Sequence, residues 1–351
     1  MSRIQEIASK ANVSISTVSR VFNDSGYVAE DKRTAVYNAA KQLGYKTPNK
    51  AKGEYDKMVS DIVGIVIPDI NNPFFSESIK GMMKVMRQND IHILICDTDE
   101  SPELEIQSLQ TLRRQKVGGL IITPVSSAVE YNAEYLREFN NLGMPIVLLD
   151  RDIKFSGFDG VFLDSFRGTF DAVQTLIDNG HTEIAIIAGL ITSKPGVDRL
   201  EGYLEALRQN NIPIKEEYIL YGNFKKDKAY ELTKKLLETK KEVTAIFSSN
   251  NLMSVGCYEA INDKGLKIPD DISLISFDDF YFFDAGNIKI SAVLRPTMQM
   301  GAEAAMLLVD QIKKKKKTKD QMSKRIILSP HLVLRGSEKF PCNRLPKTED
   351  D

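Results

Sequence analysis

Apolar runs of four to six residues alternate with longer amphipathic stretches from residue 62 onward, and this alternation constrains the fold more than any other feature of the sequence. Continuous apolar runs of this length are typical of parallel strands that helices cover on both faces. The alternation restarts after a short run at 161–163, so the strands form two sets: 62–67, 92–96, 119–123 and 145–149, then 184–187, 218–221, 244–247 and 272–275. The sequence therefore predicts an α/β fold with two doubly wound subdomains and a cleft between them.

Polar and aromatic residues follow many of these predicted strands. Ligands of doubly wound sheets bind beyond the carboxyl ends of the strands, so residues at these positions should line the cleft. Aromatic rings offer apolar faces to the C–H face of a sugar ring, and Asp, Asn and Arg give paired hydrogen bonds to its hydroxyls. Taken singly, an Asp-Arg pair can be a surface ion pair and a Phe can be core. As a set they predict a sugar site made of Asn72, Phe74, Phe75, Asp150, Arg151, Arg199, Phe224, Asn250, Asp278 and Arg295.

The first 43 residues predict a small helical domain that is separate from the α/β part. Apolar residues recur at helical spacing in three short stretches, and a tight turn at Asn12-Val13 joins the first two before Ser14, which can cap the second helix. The outer face of the second helix has no carboxylate and consists of Ile15, Ser16, Thr17, Ser19 and Arg20. Such a face suits a helix that enters the major groove of DNA, although a three-helix domain with an ordinary polar surface has the same pattern.

The distribution of charge separates the two parts of the chain. Residues 1–58 carry ten Lys/Arg and six Asp/Glu, a net charge of +4, whereas the whole chain has a net charge of −1. A basic head on an acidic body fits DNA binding. The N-terminus has no apolar signal sequence, no apolar stretch is long enough to span a membrane, and the cysteines (Cys96, Cys257 and Cys342) have neither metal nor disulfide spacing. A cytoplasmic protein is therefore expected.

Several short motifs in the head resemble the DNA-binding domain of the lac-repressor (LacI/GalR) family of transcriptional regulators. They are Ile7-Ala8, Val13-Ser14, the run from Thr17 to Asn23, Gly44-Tyr45 and Pro48-Asn49. The resemblance implies a helix-turn-helix head and a homodimer that reads a pseudo-palindromic operator in double-stranded DNA. It implies that Ile15 and Ser16 select bases, that Arg20 also contacts the operator, and that the same interface includes Ser14, Thr17, Ser19 and Asn23.

The linker after the head departs from this family. Relatives usually have a short hinge helix after Pro-Asn with a Leu that wedges into the minor groove, whereas residues 50–55 read Lys-Ala-Lys-Gly-Glu-Tyr. Gly53 lowers helix propensity by about 1 kcal/mol, and Tyr55 takes the position expected for the Leu. Tyr55 is therefore a candidate minor-groove contact, and the hinge should be less ordered than in relatives.

The α/β core resembles the body of the same family and its relatives, the periplasmic sugar-binding proteins. The motifs run from Arg199 to Leu207, from Asn250 to Gly256 and from Leu332 to Ser337, and nine of the ten cleft residues match the pocket of ribose-binding proteins. The tenth, Arg295, stands where the family commonly has Gln, and Asn251 replaces a frequent Asp. A third arginine in the cleft either recognises a phosphate on the sugar or pairs with an acidic neighbour.

These resemblances imply a head at 1–48, a hinge at 49–60, a sugar-sensing core at 61–337 and a tail at 338–351. The first subdomain is expected at about 61–162 and 293–323, and the second at about 163–292 and 324–337. The expected function is repression of a carbohydrate-utilisation operon under the control of a pentose such as ribose, with a sugar phosphate, a fructoside or a disaccharide as alternative effectors. A sugar-transport receptor would share the core but not the head. No cofactor, metal or catalytic residue is expected, so the chain is not predicted to be an enzyme.

Overall fold

The computed structural model describes residues 3–23, 28–43, 60–127, 133–141, 143–281, 283, 286–314 and 323–344. The chain divides into two compact units, Met1–Val59 and Ser60–Asp351, which are called the head and the core below. The predicted α/β class with helices at the N-terminus is confirmed. The expected boundary between head and hinge at residue 48 lies outside the described residues.

Three short helices build the described part of the head: α1 (Arg3–Lys10), α2 (Ile15–Asn23) and α3 (Glu30–Gln42). The turn between α1 and α2 is tight because Asn12 has a left-handed backbone with φ 51°, a conformation that Asn adopts more readily than most residues. The Ser14 hydroxyl accepts a hydrogen bond from the Thr17 amide at 3.1 Å, as the capping signal predicts. The apolar faces meet in a small core whose fully buried members are Ile7, Val18, Val21 and Val36.

The first subdomain of the core begins with strands and helices in alternation: β1 (Ile62–Ile67), α4 (Pro73–Arg87), β2 (His92–Asp97), α5 (Pro102–Arg114), β3 (Leu120–Ile122), α6 (Ala133–Asn141), β4 (Ile146–Leu149) and β5 (Asp159–Leu163). A further strand, β11 (Arg325–Leu328), joins this sheet from much later in the chain. In the described residues the strand order is β11-β5-β4-β3-β1-β2, and every pair is parallel.

The second subdomain repeats this plan with α7 (Ser165–Asp178), β6 (Ile184–Ala188), α8 (Lys194–Gln209), β7 (Ile219–Tyr221), α9 (Lys226–Thr239), β8 (Ala245–Ser248), α10 (Asn251–Asp263), β9 (Ser273–Phe277), β10 (Ser291–Leu294) and β12 (His331–Val333). The order among the described strands is β12-β10-β9-β8-β6-β7. Only the pair of β10 with β12 is antiparallel in this described sheet. Both sheets are therefore doubly wound, as the continuous apolar runs predict.

Within the described residues the chain passes between the two sheets three times: after β5, after β10 and after β11. The second crossing leads into α11 (Thr297–Lys314), which packs back against α4 of the first subdomain. The two helices approach closely because glycines stand at the contact: a Cβ on Gly301 would lie 1.9 Å from the carbonyl oxygen of Ser78. This contact fixes the chain on the first subdomain directly after the crossing.

The sheets correct two of the expected subdomain boundaries. The sequence places residues 324–337 in the second subdomain, but β11 lies in the first sheet, where Ile326 is opposite Val161 of β5. It also places residues 293–323 in the first subdomain, but Val293 belongs to β10 and lies opposite Phe277 of β9. The error arises because β11 is a half-exposed edge strand and lacks a continuous buried face.

The first residues of the expected tail belong to the core. His181 is fully buried in the second subdomain, and the ring of Phe340 packs 5.0 Å from its ring centroid. The Nε2 atom of His181 lies 3.3 Å from the carbonyl oxygen of Glu338, and its Nδ1 lies 2.8 Å from the hydroxyl of Thr244. Residues 338–340 are thus held against the second subdomain, and His181 is one of the groups that hold them.

Burial lowers the pKa of His181 from 6.5 to about 4. Between these two pH values the unfolded chain binds a proton that the folded chain does not, so stability falls as the pH drops through this window. We expect this residue to remove about 1.4 kcal/mol of unfolding free energy for each pH unit. Urea denaturation of His181→Gln at neutral pH and at about pH 5 should show less acid destabilisation than the wild type. His92→Gln, at an exposed position, is the matched control and should lose as much unfolding free energy on acidification as the wild type. If acid destabilisation decreased equally in both variants, the assignment to His181 would be contradicted.

Candidate ligand site and nucleic-acid interface

Helix α2 presents the predicted DNA-reading residues on the side that faces away from the head core. Its inner side is formed by Val18, Val21 and Phe22. Its outer side is formed by the exposed residues Ser14, Ile15, Ser16, Ser19 and Arg20, with Thr17 half-buried. The Ile15 side chain is 51% exposed, so a large apolar group is available for contact. Asn23 ends the helix, and Tyr55 lies outside the described residues, so DNA contact by this set stays a prediction.

The predicted sugar-site residues lie together around one cavity between the two sheets. Each comes from the carboxyl end of a strand or from the helix that follows it, as doubly wound sheets require. The cavity is lined by all of Asn72, Phe74, Phe75, Asp150, Arg151, Arg199, Phe224, Asn250, Asp278 and Arg295. This cavity is called the cleft cavity below; that these residues bind a ligand stays a prediction.

Sharp backbone turns at the strand ends aim several side chains into the cleft cavity. Asp150, Phe224 and Asp278 have left-handed backbones with φ of 62°, 61° and 69°. Residues other than Gly rarely adopt this backbone region, and each one that does raises the free energy of the folded state by about 1–3 kcal/mol. The Phe224 ring finds space because Gly189 has no side chain: a Cβ there would lie 2.0 Å from the ring. Three of the residues that line the cavity thus have strained backbones, as is common at binding sites.

The charged centre of the cleft cavity is Arg295, whose guanidinium binds a carboxylate from each subdomain. Its Nε and Nη2 donate to the two carboxylate oxygens of Asp278, both at 2.5 Å, and its Nη1 donates to Asp150 at 2.9 Å. Its Cζ lies 3.5 Å from the centroid of the Phe74 ring. The side chains of Arg295 and of both aspartates are at most 7% exposed. Of the two roles that the sequence leaves open for Arg295, the structure shows the pairing with acidic neighbours.

The other two arginines of the cavity have different partners. Arg151 forms a two-pronged ion pair with Glu100, at 2.6 and 2.7 Å. Arg199 donates Nη1 to the Ser249 carbonyl at 2.5 Å, and its Cζ lies 3.7 Å from the centroid of the Phe277 ring. Burial, and then the charge of Arg295, lowers the pKa of Arg199 to about 10, so Arg199 stays protonated at neutral pH.

Two buried donors in this cavity have no partner within the described part of the chain. They are the Nε atoms of Arg151 and Arg199. A buried donor without an acceptor costs about 1–3 kcal/mol. A ligand that brings oxygen acceptors to these atoms would remove that cost, which is an argument for a hydroxyl-rich ligand.

Several further residues line the cleft cavity that the sequence analysis does not name: Asp69, Glu100, Pro195 and Lys225. Glu100 lies shortly after β2, so the residues beyond that strand carry the signal that could have found it. Lys225 follows the predicted Phe224 directly, and its Nζ binds Asp99 at 2.8 Å. Since Asp99 belongs to the first subdomain and Lys225 to the second, this ion pair crosses the cleft.

Hydrogen bonds across the cleft show that the two subdomains are closed on each other. The Asn251 amide group donates to the side-chain oxygen of Asn72 at 3.2 Å. The Ser127 backbone amide donates to the Thr192 carbonyl at 2.9 Å, and the Lys194 amide donates to the Ser127 hydroxyl at 3.0 Å. In this closed state the cleft cavity has a volume of about 30 Å³, which holds a few water molecules but no sugar ring.

A second cavity, called the hinge cavity below, has a volume of about 310 Å³. Phe74, Asp278 and Arg295 line both cavities and form the wall between them. Glu77 and Asp279 supply carboxylates to its lining. The other lining residues include Leu294 and Thr297 at the second crossing and His331 at the third, together with Pro73, Asn251 and Tyr281.

Two other features, a metal site and a membrane-spanning helix, can be checked among the described residues. Among them no group of His, Cys, Asp or Glu side chains is arranged so that it could hold a metal ion. Within the same part of the chain, no helix has both the length and the apolar character needed to cross a bilayer.

Two family profiles match nearly the whole chain. The profile described as bacterial regulatory proteins, lacI family, matches residues 3–49. The profile described as periplasmic binding proteins and sugar binding domain of LacI family matches residues 60–336. The head and the core thus match separately and in the order in which this family combines them.

Similar proteins extend over almost the same length. The HTH-type transcriptional repressor PurR of Actinobacillus pleuropneumoniae is 30% identical over 337 residues, which are 96% of this chain and 98% of that protein. The ribose operon repressor of Halalkalibacterium halodurans is 33% identical over 315 residues, 90% of this chain and 92% of that protein.

Solved structures of the same type superpose on the chain. A transcriptional regulator CelR–cellobiose complex has a TM-score of 0.71 at 28% identity and covers 96% of this chain and 100% of its own. A LacI family regulator from Enterococcus faecium with bound ribose has a TM-score of 0.70 at 27% identity and covers 80% of this chain and 99% of its own. The chain therefore belongs to the LacI family of bacterial regulatory proteins: it is a DNA-binding transcriptional repressor with a sugar-binding core, and not an enzyme.

Proposed function

We propose that this repressor controls a carbohydrate-utilisation operon and that its effector is a small sugar, a pentose such as ribose, bound in the cleft cavity. The observation that carries the proposal is the composition of this cavity, where aromatic rings from both subdomains surround carboxylates, asparagines and arginines. Two similar proteins support the choice of sugar, since one is named ribose operon repressor and another is solved with bound ribose.

Different groups of the cleft cavity can contact different parts of a pentose. The Phe74 ring offers an apolar face to the C–H face of the sugar, and Asp150 and Asp278 can accept hydrogen bonds from its hydroxyls. Arg151 and Arg199 can donate their unpartnered Nε groups to its oxygens. Because these residues come from both subdomains, a sugar that contacts all of them favours the closed cleft, and this difference in affinity couples sugar binding to operator binding.

A sugar phosphate and a larger sugar are the alternatives to a pentose as effector. Arg295 is already paired with two buried carboxylates, which disfavours a sugar phosphate that would need its charge. A disaccharide or fructoside is the second candidate, because the hinge cavity offers about 310 Å³ beyond Arg295 and the similar CelR structure contains cellobiose.

We infer that the repressor binds its operator as a homodimer in the cytoplasm, where bacterial DNA lies. Strand β2 is at an edge of the first sheet, and its Leu94 and Ile95 are 36% and 43% exposed. An edge strand with exposed apolar side chains pairs readily with another chain unless it is covered. A second copy there would give the two-fold symmetry that a pseudo-palindromic operator requires. The DNA-binding set is proposed to be Ser14, Ile15, Ser16, Thr17, Ser19, Arg20, Asn23 and Tyr55.

Arg20→Ala should weaken operator binding by about 1–3 kcal/mol if the guanidinium hydrogen-bonds a base edge. Fluorescence anisotropy with labelled operator and with random DNA, at one salt concentration, measures the effect. The ratio of the two affinities should fall, because a base contact contributes only to the specific complex. An unchanged ratio would show that Arg20 contacts only phosphate.

Exchange of Ile15 and Ser16 for a different pair should change which operator is preferred. An Ile side chain can pack on a thymine methyl group, and a Ser hydroxyl can donate to or accept from a base edge. Selection from a pool of random operators with wild type and with the double variant tests this. Recovery of the same consensus by both proteins would reject the assignment of these residues to base selection.

Arg199→Met should weaken binding of the sugar about 10- to 100-fold, because a buried charged donor is lost. Titration calorimetry with ribose, ribose 5-phosphate and cellobiose measures the binding, and operator affinity without sugar should be unchanged. Arg167→Met is the matched control, since Arg167 is 64% exposed on α7, pairs with Asp171, lies over the Phe170 ring and does not line the cleft cavity. Binding of cellobiose alone by the wild type would replace the pentose with a disaccharide, and binding of none of the three would refute the pentose assignment and leave a fructoside as the next candidate.

A further inference from the structure

Arg295 makes the contacts in the cleft that the proposed function assigns to a sugar. Its flat guanidinium stacks on the Phe74 ring at 3.5 Å. It donates to both carboxylate oxygens of Asp278 and to one of Asp150, and these oxygens are the acceptors that sugar hydroxyls would use. The cavity left beside it has room for only about 30 Å³. A sugar and this position of Arg295 therefore exclude each other.

The same contacts join the two subdomains. Asp150 follows β4 in the first sheet, and Asp278 follows β9 in the second. Both carboxylates are buried, and Arg295 is the cation that binds the two of them. Without it, two negative charges would share one poorly hydrated cavity, which raises the free energy of the closed state. Arg295 thus stabilises the closed state in the absence of a ligand, in addition to the other hydrogen bonds and the ion pair that cross the cleft.

The hinge cavity offers Arg295 a second position. It lies on the other side of the wall that Arg295 forms, and its volume of about 310 Å³ exceeds that of an arginine side chain. Glu77 there is exposed, and Asp279 is paired with Arg335 at the edge of the cavity. A guanidinium that turned into this space would keep a carboxylate partner and gain contact with water.

We propose that Arg295 is a built-in occupant of the effector site, which closes the cleft in the absence of a ligand and must turn into the hinge cavity before a sugar binds. The part of the proposal that concerns competition rests on the proposed function, whereas the part that concerns closure does not. Arg295 thereby sets the sugar concentration at which the repressor responds. If Arg295 leaves the cleft cavity in about 1% of molecules, the measured affinity is about 100-fold lower than that of the vacant site.

Hydrogen exchange of two backbone amides tests closure without any ligand. The amides of Ser127 and Lys194 donate across the cleft, so they exchange slowly only when the cleft is closed. In ligand-free R295Q both should exchange at least tenfold faster than in the wild type, while amides inside β1 keep their rates. R113Q is the matched control, because Arg113 is 50% exposed and its ion pair with Glu138 is on the surface. Equal exchange of the two cleft amides in R295Q and wild type would overturn the proposal.

Titration calorimetry with ribose tests competition. R295Q should bind ribose at least tenfold more tightly than the wild type, and ribose should restore slow exchange of the two cleft amides. Weaker binding by R295Q would overturn the competition. Faster exchange in R295Q with no ribose binding by either protein would support closure by Arg295 and refute the pentose assignment, so the two failures are distinguishable. If circular dichroism shows that R295Q does not fold, D150N serves instead, because it keeps the pair with Asp278 and removes the other half of the bridge.

Discussion

One guanidinium between two buried carboxylates determines most of what the core can do. The bridge from Asp150 through Arg295 to Asp278 joins the two subdomains, and Arg295 and Asp278 line both cavities of the cleft. Burial of three charges is costly, and a favourable balance requires several well-aligned hydrogen bonds of the kind that a forked guanidinium makes. Loss of one partner from such a cluster leaves an uncompensated buried charge, so the cluster acts as a unit. Arg199, in the same cavity, donates to the Ser249 carbonyl.

Much of the fold and of the cleft could be predicted because both depend on short-range patterns. Continuous apolar runs identify buried parallel strands, and the carboxyl ends of those strands converge, so the ten predicted cleft residues come together although they are spread from Asn72 to Arg295. The head was predictable for a similar reason, since its helices have apolar residues at helical spacing and Ser14 caps the second one. The identity of the family, by contrast, came from motifs, because a helix-turn-helix pattern by itself does not exclude an ordinary helical domain.

Features that depend on partners distant in sequence could not be predicted. The strand β11 has alternating exposure at a sheet edge, and only its pairing with β5 shows which subdomain it belongs to. Residues 338–340 have no periodicity, and their place is set by His181, more than 150 residues earlier. The conformation of Arg295 also depends on residues distant in sequence. The sequence shows an arginine near a cleft, but whether its guanidinium binds a ligand or two aspartates depends on where three separate strands end. Glu100 differs from these, because it lies shortly after the end of β2 and its position follows the same strand-end rule as the predicted cleft residues.

The three crossings between the sheets have a consequence for synthesis of the chain. The first subdomain is complete only when β11 at residues 325–328 has been made, although β1 emerges more than 250 residues earlier. While most of the second subdomain is translated, the strands β1 to β5 therefore lack two of their partners. These are helix α11, which packs against them, and the edge strand β11. Contacts between residues so far apart in sequence slow folding and prolong the exposure of apolar strands. A truncation near residue 320 would remove one edge strand from each sheet, β11 from the first and β12 from the second.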